Sequence, residues 1–535
     1  MAQLFNACEY LLDRRLAAGD GDRLALTGPA GDLSYATLWD RVRRTAAGLR
    51  AAGVRPEQRI LMVMADSPHF AVVYLAAMRV GAIPVPVSTM LRPEGIAELL
   101  RDSRAKFLAV TSEFAAPLLT NTGESAAELV SAEGVPELQG ILADFPLSAP
   151  TGTSPRGTAS ARPVYLLDDL ASAAPDDFVY DSTADSPAFW LYTSGTTGDP
   201  KGAMHRHGSI PVVCETYGQR VLGIRPEDRC LSAAKAFFAY GLGNSLLFPM
   251  SAGAASVLLP PASRPDLIAE TAVKYGATLF FGGPTFFAGM LRAGLSADAL
   301  AGVRLAASAG EPLPAELYHR WTGHFGVDII DGIGMTEMLH IFLSNRPGAV
   351  RPGTTGVPVP GYDLRIRDEE GAEVPDGSPG TLFVRGDSTA TGYWCRYATT
   401  RQVFQGEWLR TGDTYIRDAD GFYRCLGRTD DVLKVSGMWV APAEVENRLL
   451  AHPGVAQAVV VAAPDADQLD KPVAFVIRAE GAEVTEQELV AFCRDGMESY
   501  KRPRRVVFVG DYPTTATGKV RRVELRATAE EVLRR

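Results

Sequence analysis

The run Tyr192-Thr193-Ser194-Gly195-Thr196-Thr197-Gly198-Asp199-Pro200-Lys201-Gly202 joins an apolar stretch to a loop dense in hydroxyls and glycine that carries one lysine. Thr193, Ser194, Thr196 and Thr197 offer donors, the glycines permit close backbone approach, and Lys201 supplies a cation, a combination suited to cradling phosphates. It is not a Walker A loop: counted from Gly195, that pattern wants glycine where Pro200 stands and a hydroxyl where Gly202 stands. Glu337 beside Thr336, Asp413 in Thr411-Gly412-Asp413, Arg428 in Gly427-Arg428-Thr429-Asp430-Asp431, and Lys519 in a small-residue loop add carboxylates and cations to the inventory. By residue type alone each has a plainer reading: Glu337 as a helix-start acid, Thr-Gly-Asp as an ordinary turn, Lys519 as a solvated surface charge.

The surrounding elements must hold these groups. Short apolar runs alternate with helical stretches: strands at Ile60–Met64, Ala82–Val87 and Phe107–Val110, helices at Ser67–Arg79 and Pro93–Asp102, and a second series after Ser209. In that series we expect helix Ser209–Val221, strand Ala255–Leu259, helix Pro265–Tyr275 and strand Thr278–Phe281. Such alternation predicts α/β architecture with parallel sheets and crossover helices. Ser148 to Ala161, rich in Ser, Thr, Pro and Gly, reads as a surface loop without catalytic residues. Past Thr354, short strands with glycine turns predict a β-rich subdomain. Beyond Asp430 comes a small α+β unit, with helices Pro442–Leu450 and Glu486–Ser499 and strands Val455–Ala462, Val473–Ile477 and Val506–Phe508. The expected division is a large domain over 1–429 and a small mobile domain over 430–535.

Composition removes several classes of function. The 535-residue chain is long enough for several subdomains with a site between them. A net charge of −10 argues against nucleic acid as the main partner. Its six cysteines (Cys8, Cys214, Cys230, Cys395, Cys425, Cys493) are scattered without a C-x-x-C pair, as expected of free thiols in the cytoplasm. Met1 to Asn6 lacks a basic-then-apolar leader, and the strongest apolar run, Phe70 to Met78, is too short to span a bilayer, so no membrane anchor is expected.

Taken in order, Thr193–Gly202, Gly332-Ile333-Gly334-Met335-Thr336-Glu337, Thr411–Asp413, Gly427–Asp431 and Gly518-Lys519 resemble the acyl-adenylate-forming enzymes over nearly the whole chain. That family activates a carboxylate with ATP, expels pyrophosphate to leave an acyl-AMP, and in its ligase branch passes the acyl group to coenzyme A. The resemblance implies that Thr193, Ser194, Gly195, Thr196, Thr197, Gly198 and Lys201 hold the outer phosphates, that Thr336 meets the α-phosphate, and that Glu337 binds Mg²⁺. It places Asp413 and Arg428 at the ribose and Gly310, Glu311, Asp331, Gly332 and Ile333 around the nucleotide. Lys519 bridges the attacking carboxylate and the α-phosphate, and Asp430 is the hinge about which the small domain reorients. After reorientation Lys434, Ser436, Gly437, Met438 and Trp439 meet coenzyme A, while Lys501, Arg502, Arg504 and Arg505 read either as a patch for its phosphates or as solvated surface.

Two stretches are more specific. Lys235-Ala236-Phe237-Phe238-Ala239-Tyr240-Gly241-Leu242-Gly243-Asn244 and Thr336-Glu337-Met338-Leu339-His340-Ile341-Phe342 resemble the benzoate-CoA ligase branch, as does Ile333 where the superfamily often has tyrosine. The implied acid pocket comprises Ala239, Tyr240, Gly283, Ser308, Gly310, Ile333, Gly334 and His340, small residues with one aromatic wall and polar points. Phe237, Phe238 and Phe342 are expected to be core, and by type alone His340 is equally a satisfied core histidine. The expected reaction is ligation of an aromatic carboxylic acid to coenzyme A. A medium-chain acyl-CoA synthetase and an enzyme loading a carrier protein remain alternatives, although no carrier domain follows Lys519. Oligomeric state, a homodimer included, is left open.

Overall fold

In the computed structural model of the chain, the described residues are 3–119, 134–145, 162–194, 200–428, 433–435, 438–440, 442–464, 470–514 and 520–534. The expected loop at Ser148–Ala161 lies outside them.

Strands β1 (Arg59–Val63), β2 (Ile83–Pro86), β3 (Phe107–Val110), β4 (Gly140–Ala143) and β5 (Val164–Leu166) form a parallel sheet in the order β2-β1-β3-β4-β5. Helices α1 (Pro68–Arg79) and α2 (Pro93–Ser103) make its first crossovers. Ser67 caps α1 by accepting from the Phe70 amide, with Pro68 in the first turn. Phe70 to Arg79 are all buried, so α1 is a shared core helix and not an amphipathic cover.

A hairpin of β6 (Pro187–Ser194) and β7 (Pro200–Arg206) follows, pairing Thr193 with Lys201 and Ser194 with Pro200. The two ends of the phosphate-cradle stretch are therefore paired strands. A larger sheet then carries parallel strands β8 (Arg229–Ser232), β9 (Ala255–Val257), β10 (Leu279–Gly282), β11 (Leu305–Ser308) and β12 (Ile329–Gly334), with β13 (Ile341–Ser344) antiparallel to β12. Helix α3 (Pro265–Tyr275) has the expected bounds. The expected helix Ser209–Val221 is instead a short α-helix, Ser209–Val213, that widens into a π-helical turn, Cys214–Gln219. A second such turn, Gly243–Leu247, follows Tyr240.

The β-rich subdomain holds β14 (Asp363–Arg367), β15 (Gly380–Arg385), β16 (Trp408–Arg417) and β17 (Tyr423–Arg428) in antiparallel pairing. Side chains of β14 alternate between buried and exposed, as expected where one face meets water.

Residues from 440 onward build cores of their own. Helices α4 (Pro442–Leu450) and α5 (Glu486–Arg494) pack with β18 (Val455–Pro464), β19 (Asp470–Arg478) and β20 (Arg505–Phe508). Thr485 and Glu488 form a reciprocal capping box at the start of α5. That helix stops at Arg494, short of the expected Ser499, where the Arg448 guanidinium donates to the Phe492 carbonyl at 2.7 Å and takes up a terminal acceptor.

Candidate functional site

Two adjacent parallel strands end side by side, β10 at Gly282 and β11 at Ser308, next to Asp331 within β12. Gly282 on β10 is in register with Ser308 on β11, and Ser308 with Asp331 on β12. Ligands of open α/β sheets gather at such carboxyl ends. Ser308 and Asp331 are buried neighbours, and among the described residues neither the Ser308 hydroxyl nor Asp331 Oδ1 closes a hydrogen bond. Burial pushes the Asp331 carboxyl up to about 8. Gly283 begins the next connection with its backbone facing the Ala309 carbonyl, and Gly310 turns the chain at φ +99°. Glu311 accepts from the Thr285 hydroxyl at 3.0 Å.

Beyond these strand ends stands an aromatic wall. The Tyr240 hydroxyl donates to the Ala307 carbonyl at 2.8 Å, and His340 Nε2 donates to the Tyr240 carbonyl at 3.3 Å. Lys235 anchors this segment through the Leu259 and Pro261 carbonyls at 2.5 and 2.6 Å, while Asp66 accepts from the Ala236 amide at 3.1 Å. Tyr217, Tyr240 and Phe248 surround the His340 ring, with centroids 5.3, 5.4 and 4.5 Å away. Burial holds that imidazole down to about 3, so it is neutral at physiological pH, and among the described residues Nδ1 has no hydrogen-bond partner. These two π-helical turns supply Tyr217 and Asn244, both buried. Wide turns of this kind recur at functional sites because they turn side chains off the regular helical faces. His340 is aimed by Leu339, whose φ of +66° is strained for a branched residue. Gly334 passes so close that a Cβ there would fall 2.7 Å from the His340 carbonyl. Phe237 and Phe342 are buried as expected, whereas Phe238 is only half-buried.

A second group of side chains adjoins this wall through the turn Thr336–Met338. His205 on β7 donates from Nε2 to the Thr336 carbonyl at 2.8 Å, its imidazole held neutral by burial, which lowers it to about 4. Glu337 is buried and accepts the Tyr393 hydroxyl at 2.5 Å through Oε1. Lys201 lies 5.7 Å from the centroid of the same tyrosine ring.

Asp413 and Arg428 are register partners on β16 and β17, with Arg428 Nη1 3.2 Å from Asp413 Oδ1. Gly412, at φ +74°, leaves space for the arginine, since a Cβ there would lie 2.8 Å from Nη2. Tyr415 and Cys425 lie within electrostatic reach of both Asp413 and Asp331, which brings the β-rich subdomain to the strand ends.

Gly195, Thr196, Thr197, Gly198, Asp430, Ser436, Gly437 and Lys519 lie outside the described residues. Lys434 and Trp439 are backbone partners in a two-stranded ribbon that also contains Met438. The suggested cationic patch is largely occupied: Lys501 pairs with Glu444 and Glu498 at 3.0 and 3.3 Å, Arg505 with Glu486 at 2.8 Å, and Arg502 donates to backbone carbonyls. His205, Tyr217, Asn244 and Tyr393 were assigned no role from sequence. Asn244 lies within one of the quoted runs, but the others show no spacing signal, because segments distant in sequence bring them in.

The fold, with its aromatic wall and buried polar groups beside the carboxyl ends of a parallel sheet, is that of a nucleotide-binding enzyme. Residues 13–394 match the AMP-binding enzyme family and residues 444–519 the AMP-binding enzyme C-terminal domain. The chain belongs to this AMP-binding, acyl-adenylate-forming family. It is 41% identical over 531 residues to a 4-hydroxybenzoate–CoA/benzoate–CoA ligase of Rhodopseudomonas palustris, covering 98% of this chain and 94% of that one. It is 40% identical over 534 residues to a benzoate–CoA ligase of Thauera aromatica, covering 98% and 96%. Among solved structures it is similar to an anthranilate CoA ligase in complex with anthranoyl-AMP, with a TM-score of 0.88, 36% identity and coverage of 99% and 98%. A benzoate CoA ligase from Burkholderia xenovorans superposes with a TM-score of 0.86 at 39% identity, covering 98% and 100%.

Proposed function

We propose that the chain joins benzoate or a substituted benzoate to coenzyme A through an acyl-AMP, releasing AMP and pyrophosphate. The observation that carries this reading is the placement of His340 three residues beyond Glu337 and against the Tyr240 carbonyl at 3.3 Å. One short turn thus joins an aromatic wall for the acid to the residues assigned to phosphate. Adenylation needs this adjacency, since the carboxylate must reach the α-phosphate against anionic repulsion.

In this reading Thr193, Ser194, Lys201 and residues 195–198 hold the outer phosphates, and Thr336 donates to the α-phosphate. Asp413, braced by Arg428, accepts from the ribose hydroxyls, and Asp331 meets the base with Gly310, Glu311, Gly332 and Ile333. The ring lies among Ala239, Tyr240, Gly283, Ser308, Gly334 and His340. Glu337 suits Mg²⁺: among the described residues no group of three or more potential ligands forms a metal cage, and Mg²⁺ with ATP requires only one or two carboxylates plus phosphate oxygens. When bound, that ion neutralises charge on the phosphates. Lys519 arrives from the small domain for adenylation, which turns at Asp430 to bring Lys434, Ser436, Gly437, Met438 and Trp439 to coenzyme A. Among the described residues no helix is long and apolar enough to cross a membrane, and free cysteines suit the cytoplasm, where we place the enzyme.

A panel of benzoate, hydroxybenzoates, aminobenzoates and hexanoate, with ATP and coenzyme A, tests this by mass spectrometry of the thioester. Aroyl-CoA is the expected product. Hexanoyl-CoA alone, or acyl-AMP accumulating without thioester, would replace the proposal with a medium-chain synthetase or a carrier-loading enzyme.

A further inference from the structure

Tyr393 has no part in the roles above, yet it is the side chain that touches Glu337. The two are buried at 6% and 5% exposure, and the phenol donates to Oε1 at 2.5 Å. Among the described residues no other hydrogen bond engages that carboxylate. The backbone builds the contact from both sides. The Ala390 amide donates to the Glu337 carbonyl at 2.8 Å, and the segment then runs along β7: Thr391 to the Met204 carbonyl at 2.9 Å, Met204 to the Gly392 carbonyl at 3.0 Å, Trp394 to the Gly202 carbonyl at 2.9 Å. Tyr393 is thus wedged between the strand that carries Lys201 and the turn that carries Glu337. Phe404 packs edge-on to its ring at 5.3 Å, and Lys201 stands 5.7 Å from the ring centroid.

We propose that Tyr393 is a positioning residue for the metal–triphosphate unit: its hydroxyl orients the Glu337 carboxylate, while its ring places the Lys201 ammonium beside it. This rests on the reading of Glu337 as the metal-binding residue. A buried carboxylate with one bond fixed has few rotamers open to it, so its second oxygen is held in one direction for a hard cation. Packing against Phe404 needs only the ring, so the hydroxyl is the functional part.

Tyr393→Phe keeps the ring and removes the bond. Calorimetry should show affinity for MgATP falling about tenfold, the loss usual when a partner of a metal ligand is removed, while affinity for ATP in EDTA stays within about twofold. The Mg²⁺ concentration for half-maximal pyrophosphate release with benzoate should rise alongside. Conversion of supplied benzoyl-AMP to thioester should hold. Parallel loss of both ATP affinities, or no change in either, overturns the proposal. Glu337→Gln separates the two readings. If that variant still prefers MgATP as wild type does, the metal assignment of Glu337 fails and the proposal with it. If the preference is lost and adding Tyr393→Phe costs nothing more, the coupling is established.

Discussion

His340 Nε2 stands 3.3 Å from the Tyr240 carbonyl oxygen, while its Nδ1, equally buried, has no partner among the described residues. One nitrogen fixes the ring and the other remains for a ligand. His340→Ala should therefore lower kcat/KM for benzoate by about thirtyfold, on the order of 2 kcal/mol of transition-state binding, with little effect on MgATP affinity. Gly243→Ala tests the same wall from outside, because a Cβ there would lie 2.4 Å from His340 Cδ2 and must displace the ring. Steady-state kinetics unchanged in both variants would remove His340 from the acid site.

The carboxyl of Asp331 carries a pH signature. Burial raises it from 3.8 to about 8. A group whose folded-state pKa exceeds its unfolded one contributes stability that is whole below the unfolded value and is lost as pH rises through the folded value. Asp331→Asn removes that titration, so its urea midpoint should gain on wild type from about pH 4 to about pH 8 and hold that gain at higher pH. Profiles that run parallel across the range would show that Asp331 does not titrate there.

Lys519→Ala should divide the reaction. Loss of the cation between carboxylate and α-phosphate is expected to reduce benzoate-dependent pyrophosphate release by orders of magnitude. Supplied benzoyl-AMP should still give benzoyl-CoA at near the wild-type rate. Equal loss in both assays would leave Lys519 a general structural requirement.

Asp430→Pro fixes φ at the proposed hinge. One half-reaction should survive and the other fall, measured by pyrophosphate release and by thioester formation from benzoyl-AMP. Unaltered overall turnover would place the pivot elsewhere.

The motifs at Thr193–Gly202, Thr336–Glu337, Asp413 and Arg428 were legible because each is local, a few residues whose types suit phosphate, metal or ribose. The parallel strands and crossover helices were legible for the same reason, since strand and helix periodicity are properties of neighbours along the chain. The widening of the helix after Val213, the stop of α5 at Arg494 and the pairing of Lys501 with Glu444 and Glu498 were not. Each depends on a partner far away in sequence or on hydrogen-bond competition within a turn.

By itself the sequence determined the chemistry offered and the order in which it is presented: a hydroxyl-rich stretch with Lys201, an acid at Glu337, an aromatic run at Tyr240, and a late lysine at Lys519. Tertiary structure alone decided which groups meet. It set Ser308 and Asp331 side by side on adjacent strands, brought Tyr217 against His340, and wedged Tyr393 between Lys201 and Glu337. The physical reason is burial. A polar atom out of water must find a partner in space, and a linear pattern of residue types carries no record of which distant segment supplies it.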